Sequence, residues 1–323
     1  MIPKTSPGQE TPQKEGYTYL PHCFLPHVRW EQFIAGLAGG AISTLALHPL
    51  DLAKVRLQVN EGTGAVNTRP RSARMIGTLS EVYKARGLLG LYQGITPNLL
   101  GAASAWGLYF FIYGAMKDHA QEGDPSRKLK KMEYLGYAYL SGCLVLSLTN
   151  PIWVVKTRMC LQYETLATQR VPTLTTWGNL VSLWRMEGIK GLYRGFVPSL
   201  VGMSNGAIQF LVYEEMRNYY NGTYFHRPID THLSPFEYLT MATVSKAIAV
   251  AATSPFQVLR SRLQEQHRSY GGIMDVITSI WRYEGLLGFY KGLWPGILRT
   301  APACGITFVV YENANKWLKP KPK

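Results

Sequence analysis

"NPIWVVKTRMCLQ", residues 150–162, sets a proline near the end of an apolar run, follows it with a tryptophan, and then places a lysine and an arginine. A proline inside a helix removes a hydrogen bond and costs about 3 kcal/mol where nothing compensates. The arrangement occurs twice more, as "HPLDLAKVRLQ" from His48 and "SPFQVLRSRLQEQ" from Ser254, so that Pro49, Pro151 and Pro255 recur at intervals of about 100 residues. A second element alternates with the first: "GLYQGITPNLL" from Gly90, "GLYRGFVPSLV" from Gly191 and "GFYKGLWPGIL" from Gly288, carrying Pro97, Pro198 and Pro295. Two signals in the same order three times over establish internal repetition. A cost repeated at three equivalent places implies a use.

Between the two signals each unit carries a polar, variable link, at 60–72, 164–175 and 265–272. A short amphipathic stretch follows, with Leu79, Val82 and Tyr83 in the first copy, Leu180, Leu183 and Trp184 in the second, and Val276, Ile277 and Trp281 in the third. Six longer apolar stretches, at 33–50, 99–116, 135–155, 200–216, 238–255 and 297–311, are dotted with Gly, Ser, Thr or Asn. Taken singly, each reads equally well as a buried helix of a soluble protein. Their regular spacing favours a membrane, where backbone groups freed by a proline must be met by neighbouring helices or a watery cavity. The expected fold is an all-α membrane protein of three pseudo-symmetric repeats, with six transmembrane helices and three short helices around a central cavity. The expected divisions are a polar, proline-rich tail over 1–28 and repeats over 29–120, 131–222 and 233–318, forming one domain. Gly36 with Gly40, and Ala138 with Gly142, stand four residues apart and read as close helix contacts. "GLAGGAIS" has no preceding strand and is no dinucleotide fingerprint.

Lysine and arginine outnumber aspartate and glutamate 34 to 20. That balance favours an anionic partner: nucleic acid, acidic lipid, or a small molecule bearing phosphate or carboxylate. Cys23, Cys143, Cys160 and Cys304 are isolated, which argues against a disulfide framework or a zinc site, and no metal is expected. The first residues match neither a secretion signal nor an Arg-rich mitochondrial presequence. No nucleophile–base pair or phosphate-binding loop stands out, so the chain is not expected to be an enzyme or to hold a cofactor. His22, His27, His48 and His267 are scattered and read as loop or helix-end residues.

These motifs resemble the mitochondrial carrier family across about residues 30–317. That family's odd-numbered helices carry a proline, any residue, an acid, two residues and a base. Pro49, Asp51 and Lys54 match in full; Trp153 takes the acid's place between Pro151 and Lys156, and Gln257 takes it between Pro255 and Arg260. The family's acid–glycine and aromatic–base–glycine elements are matched by Glu187, Gly188, Tyr193, Arg194 and Gly195, and by Glu284, Gly285, Tyr290, Lys291 and Gly292. The first copy departs with Arg86 in the acid's place, followed by Gly87, Tyr92, Gln93 and Gly94.

The resemblance implies a monomeric six-helix transporter of the mitochondrial inner membrane, working by alternating access, with three short helices on the matrix side. It implies a matrix gate in which the prolines bend the helices, Asp51 pairs with Lys156, Gln257 hydrogen-bonds Lys54, and Trp153 offers its ring to Arg260. Gln58 and Gln264 would brace that ring of pairs, with Cys160 at the third place and no brace there. Ion pairs reached by water contribute about 0–1 kcal/mol each, so such a gate is a shallow lock. A cytosolic gate is implied at Lys117, Glu214, Arg217 and Glu312, incomplete because Gly114 and Asn315 stand where an acid and a base belong. Solvated helix ends are the competing reading.

Substrate contacts are implied between the gates, where a charge is expensive and usually functional. Arg299 is suited to hold a phosphate or carboxylate, while Gly101 and Gly202 at the equivalent places leave room for a planar group. Lys246 stands where the other copies have Gly40 and Gly142, and is either a contact or a packed, snorkelling side chain. Asn205 and Gln209 are placed to read a heterocycle's edge. Trp106 either stacks on a ring or sits at the lipid interface. Met203 is included because the register on the fourth long helix is open by one residue. "NPIWVVKTR", "WGLYFFIY" and "PACGITFVVYEN" resemble the folate and flavin adenine dinucleotide branch, making FAD or a reduced folate the implied substrate. Carriers of NAD or pyrimidine nucleotides are close alternatives. A basic repeat scaffold or nucleic-acid-binding protein is the third reading; the bases gathered just past each proline argue against it. Cardiolipin is the expected lipid partner, at the helix starts beside Gly94, Gly195 and Gly292.

Overall fold

The computed structural model describes residues 30–60, 71–121, 131–166, 175–224, 234–265 and 270–318. The tail over 1–28, with Cys23, His22 and His27, lies outside the described residues, as does His267. Copy one consists of α1 (Trp30–Val59), α2 (Arg71–Leu91) and α3 (Ile95–Ala120). Copy two consists of α4 (Lys131–Leu166), α5 (Thr176–Leu192), and a rod made of α6 (Phe196–Gly202) and α7 (Ser204–Asn218), which ends in a wider turn over Tyr219–Tyr224. Copy three consists of α8 (Pro235–Gln264), α9 (Ile273–Glu284), a tight turn over Leu286–Tyr290, and α10 (Leu293–Leu318). The described residues are all-α, with six long rods and three short helices in a threefold pattern. The link expected at 164–175 starts inside α4, which runs on to Leu166.

The three odd-numbered rods, α1, α4 and α8, continue through Pro49, Pro151 and Pro255. Proline lacks an N–H, so the carbonyl four residues earlier loses its helical donor. At Pro151 that carbonyl belongs to Ser147, and the Tyr193 hydroxyl donates to it at 3.1 Å. The residue before each proline ties its rod to the following short segment. Asn150 Nδ2 donates to the Leu192 carbonyl at 2.7 Å and Ser254 Oγ to that of Phe289 at 3.4 Å, while His48 Nε2 lies 2.9 Å from the Gln93 carbonyl oxygen. His48 is therefore not a helix-end residue. It is fully buried inside α1.

The rods close into a ring in the order α1, α3, α4, α6–α7, α8 and α10, returning to α1. Among the described residues, three helical segments are long and apolar enough to cross a membrane by length and composition: Ile95–Ala120, Met132–Gln162 and Phe196–Gly222. The barrel reverses the pattern of a water-soluble bundle. Phe110, Phe111, Phe210 and Leu211 are exposed, while Asp51, Gln58, Thr253 and Gln264 are buried. Compact apolar clusters sit instead where the short helices meet the odd rods: Val154, Val155, Leu183 and Leu192; Val258, Leu259, Val276 and Ile280; Leu52, Val82 and Cys160. Each fully buried aliphatic side chain contributes roughly 1.5–3 kcal/mol. Tyr83, Trp184 and Trp281, expected on the packed faces, are exposed. The close approach of α1 to α10 is made by Gly39 rather than Gly40: a β-carbon on Gly39 would stand 3.1 Å from the Thr307 carbonyl oxygen, whereas one on Gly40 would meet nothing.

Candidate functional site

The residues just past the three prolines meet where α1, α4 and α8 converge. Lys54 Nζ donates to Gln257 Oε1 at 2.6 Å, joining α1 to α8. Trp153 on α4 lies between two cations, with Lys156 Nζ 5.4 Å and the Arg260 guanidinium carbon 5.8 Å from its ring centroid. An indole in the acid's place thus attracts positive charge through its ring face instead of through a carboxylate. Asp51 does not pair with Lys156 as expected. Its Oδ1 lies 3.0 Å from Arg299 Nη1, and its Oδ2 is buried without a hydrogen bond. The reason is the backbone approach of α10 to α1, tight enough that a β-carbon on Gly292 would stand 2.9 Å from the Lys54 carbonyl oxygen. Arg299 reaches Asp51 across that seam. Lys54, Lys156 and Arg299 all lie within electrostatic reach of this carboxylate, while Arg260 rests against the Trp153 ring.

Gln58 and Gln264 do not hydrogen-bond to the paired side chains. Gln58 Oε1 accepts from Ser261 Oγ at 2.7 Å and Gln264 Oε1 from Thr157 Oγ1 at 2.8 Å, so each fastens one odd rod to the next. A deeper ring of arginines, absent from the sequence-based candidates, repeats the linkage. Arg56 Nε donates to the Cys160 carbonyl at 3.1 Å, Arg158 Nε to that of Gln264 at 3.2 Å, and Arg262 Nε to that of Gln58 at 3.0 Å. The signal was present as "KVR", "KTR" and "RSR", a second base two residues past the first. Two positions along a helix turn a side chain about 200° away, which takes it off the axis and towards the short helices. There Arg158 holds Glu187 with two bonds, at 2.7 and 2.9 Å, and Arg262 holds Glu284 at 2.6 Å, with Lys291 at 2.8 Å on the same carboxylate. The Arg158 hydrogen bonds keep the Glu187 carboxyl below the usual carboxylate range, against burial, which pushes it up.

Above the converging ends, Lys246 Nζ donates to Asn205 Oδ1 at 2.8 Å and Gln209 Oε1 at 2.9 Å, drawing three expected contact residues into one cluster. Gly202 has open space around it. Gly101 does not: a β-carbon there would lie 3.2 Å from Ile152 and 3.4 Å from Trp153, so the ring that replaces the acid also fills this place. Met203 lies over Gly142, where an added β-carbon would be 2.5 Å from its methyl group. Trp106 is exposed on α3 and packs on Tyr109 and Phe110 of its own helix. At the far end of the barrel, Arg217 Nη1 stands 3.9 Å from Glu214 Oε1 on its own helix. Lys117 forms no ion pair among the described residues, and the Glu312 side chain lies outside them. One end of the barrel is knitted together. The other has no bond between rods at the expected gate positions among the described side chains.

Comparison with known proteins agrees with this architecture. The family model described as mitochondrial carrier protein matches the chain three times, over residues 26–124, 127–224 and 231–322. A chloroplastic folate transporter of Arabidopsis thaliana is 40% identical over 305 residues, covering 91% of this chain and 97% of the relative. A mitochondrial nicotinamide adenine dinucleotide transporter of the same plant is 35% identical over 284 residues, covering 86% and 77%. The mitochondrial FAD carrier of Saccharomyces cerevisiae is 32% identical over 303 residues, covering 88% and 95%.

Proposed function

The chain belongs to the mitochondrial carrier protein family, and from that membership we propose that it moves a bulky anionic coenzyme, FAD or a reduced folate, across the mitochondrial inner membrane by alternating access. Solute transport across an organelle membrane is the family's role; the identity of the solute and the choice of membrane are this proposal's own. The observation that carries it is the charge at the converging ends, where Lys54, Lys156 and Arg299 share the carboxylate of Asp51 and Arg260 lies against Trp153. A partly exposed arginine can grip a phosphate or carboxylate through two parallel bonds, and Arg299 is partly exposed. A solute anion arriving there competes with Asp51 for the same guanidinium.

In this reading Asp51, Lys54, Trp153, Lys156, Gln257 and Arg260 are the matrix gate, shut in this conformation, with Gln58 and Gln264 reinforcing the seams beneath it. Pro49, Pro151 and Pro255 aim those residues at the axis. Lys117, Glu214, Arg217 and Glu312 belong to the cytosolic gate, open in the same conformation. Solute enters on the cytosolic side and meets Lys246, Asn205 and Gln209 beside Gly202 before it reaches Arg299. Acidic lipid, cardiolipin among it, is the proposed partner beside Gly94, Gly195 and Gly292, whose left-handed backbone precedes α3, α6 and α10.

Identity to the folate relative, 40% with 97% of its length spanned, supports folate or FAD, against 35% for NAD relatives spanned over 77% and 90% of theirs. NAD remains the second reading because the NAD relative is 35% identical and the FAD relative 32%. The test is uptake into liposomes containing the purified protein, offered labelled FAD, tetrahydrofolate, NAD and pyrimidine nucleotides in parallel. Uptake of FAD or tetrahydrofolate, abolished in Arg299→Ala, supports the proposal. Preference for NAD selects the second reading, and uptake that survives Arg299→Ala refutes the placement of the anion.

A further inference from the structure

Thr253 has none of the roles described above. It is 1% exposed on α8, two residues before Pro255, and its hydroxyl makes three hydrogen bonds. The hydroxyl proton goes to the Ala249 carbonyl at 2.8 Å. Its lone pairs therefore receive two donors, Asn205 Nδ2 at 2.9 Å and Gln257 Nε2 at 3.0 Å. A hydroxyl that accepts twice fixes the polarity of both amides. Each turns its oxygen away from Thr253, and each oxygen meets a lysine: Asn205 Oδ1 meets Lys246 at 2.8 Å, and Gln257 Oε1 meets Lys54 at 2.6 Å. The product is one unbroken chain, Lys246–Asn205–Thr253–Gln257–Lys54, crossing three rods from the open part of the barrel to its closed end.

The other copies lack this chain. Leu47 stands two residues before Pro49 and has no hydroxyl. Thr149 stands two before Pro151, but the residue four places on is Trp153, which has no amide, and the Thr149 hydroxyl bonds to the Val145 carbonyl at 2.8 Å.

We infer that Thr253 is a positioning residue through which solute capture at Lys246 is transmitted to the Lys54 lock. This rests on the reading of Lys246, Asn205 and Gln209 as solute contacts. An anion that takes Lys246 leaves Asn205 Oδ1 without its donor, and the amide is free to turn its NH2 group towards the solute. Thr253 then loses one of the two donors that polarise its hydroxyl. Gln257 is no longer held in the single orientation that presents its oxygen to Lys54, and the link between α8 and α1 loosens. The solute thereby opens the door it must pass through, and an empty site leaves it shut.

Thr253→Val keeps the shape and removes the hydroxyl. Liposomes holding the full chain are offered FAD, tetrahydrofolate and NAD, and KM and the exit of preloaded solute are measured for whichever the wild type accepts. With the hydroxyl gone the Lys54 link is loose whether or not solute is bound. Exit of preloaded solute into solute-free medium therefore speeds up about tenfold in Thr253→Val, within the usual range of coupling between sites, with KM changed less than about twofold, and Thr253→Ser restores the slow exit. An unchanged exit rate, or the same gain in Thr253→Ser, overturns the inference. Acceptance of none of the three by the wild type defeats the solute reading, and the relay is then judged without solute. Thermal unfolding shifts of Asn205→Ala and Gln257→Ala are non-additive with Thr253 present and additive in Thr253→Val. Additivity in both backgrounds overturns the relay. Should Thr253→Val fail to fold, Thr253→Ala supports the same comparisons.

Discussion

Copies two and three fasten their short helices to the barrel through a carboxylate, and copy one has an arginine at the same place. The backbones are alike: Gly87, Gly188 and Gly285 have φ of 65°, 62° and 63°, a left-handed conformation that favours glycine. The next glycine also serves one purpose in all three. A β-carbon on Gly90, Gly191 or Gly288 would crowd the β-carbon of Arg86, Glu187 or Glu284. Threefold repetition therefore fixes the main chain, while single side chains decide how firmly each third is held. Arg158 and Arg262 find carboxylates on their own short helices. Position 86 instead presents a charge of the same sign as Arg56.

The sharpest way to break this contrast is Glu284→Ala. Both Glu284 and Arg262 are almost fully buried, and Lys291 shares the carboxylate. Removing one partner of a buried pair leaves an uncompensated charge and costs about 3–5 kcal/mol. Purified protein should lose much of its thermal stability; a shift no larger than that of a surface substitution would show the lock to be idle. Glu187 is next, at 22% exposed and therefore better screened, with a loss of about 1–2 kcal/mol in Glu187→Ala. Because its carboxyl is held below the usual range by Arg158, its contribution is complete above the unfolded carboxylate pKa, about 4.3. It is lost as pH falls through the lower folded value. The stability gap between wild type and Glu187→Gln should close on acidification, and a gap constant with pH would mean that packing, not charge, holds α5.

Arg86→Glu tests the comparison from the other side. The backbone at position 86 already matches that of Glu187 and Glu284, so the substitution supplies α2 with the carboxylate of the other copies. It should raise stability by about 1 kcal/mol, the usual gain from a single compatible surface-charge change. If copy one is the third that yields during transport, the same variant should be slower in liposomes. A variant that is stabilised without slowing would separate the lock from the cycle.

How much of this was legible in the sequence follows from what kind of pattern carries each feature. The repeats, the odd rods and the short helices are periodic, so Pro49, Pro151 and Pro255 with their following bases locate them. The contact of Lys54 with Gln257, and Trp153 beside Arg260, follow from the pairing that the family resemblance implies. The partner of Asp51 does not, because it depends on how closely α1 and α10 approach at Gly39 and Gly292 and on the reach of an arginine, neither of which is a local pattern. Gly101 misleads for a related reason: a missing side chain signals space, but Trp153 fills it. Thr253 gives no signal at all, since a threonine within a helix ordinarily bonds its hydroxyl to the carbonyl four residues earlier, and the bond from Asn205 that extends it beyond its own rod exists only once α7 has met α8.

A coupling of about 1 kcal/mol between two substitutions is predicted at the seams between odd rods. Two are polar, Gln58 with Ser261 and Gln264 with Thr157. The third has no glutamine: Cys160 lies with Leu52, Val82 and Val55, and its thiol donates to the Gln93 carbonyl at 3.6 Å. All three share a glycine pressed against the residue in question, with added β-carbons on Gly292, Gly195 and Gly94 at 2.8 Å from Gln58, 3.1 Å from Gln264 and 2.9 Å from Cys160. The space that admits glutamine twice is therefore repeated at the third seam. Cys160→Gln alone should destabilise, because a buried amide oxygen would face Val55 without a donor, at about 1–3 kcal/mol. Val55→Thr supplies the hydroxyl that Thr157 and Ser261 supply elsewhere, six residues past the proline. The double variant should recover about 1 kcal/mol relative to the sum of the single changes, measured as unfolding midpoints in one detergent. Strict additivity would mean that the third seam differs in backbone as well as side chain, and the contrast between copies would then reach deeper than position 86.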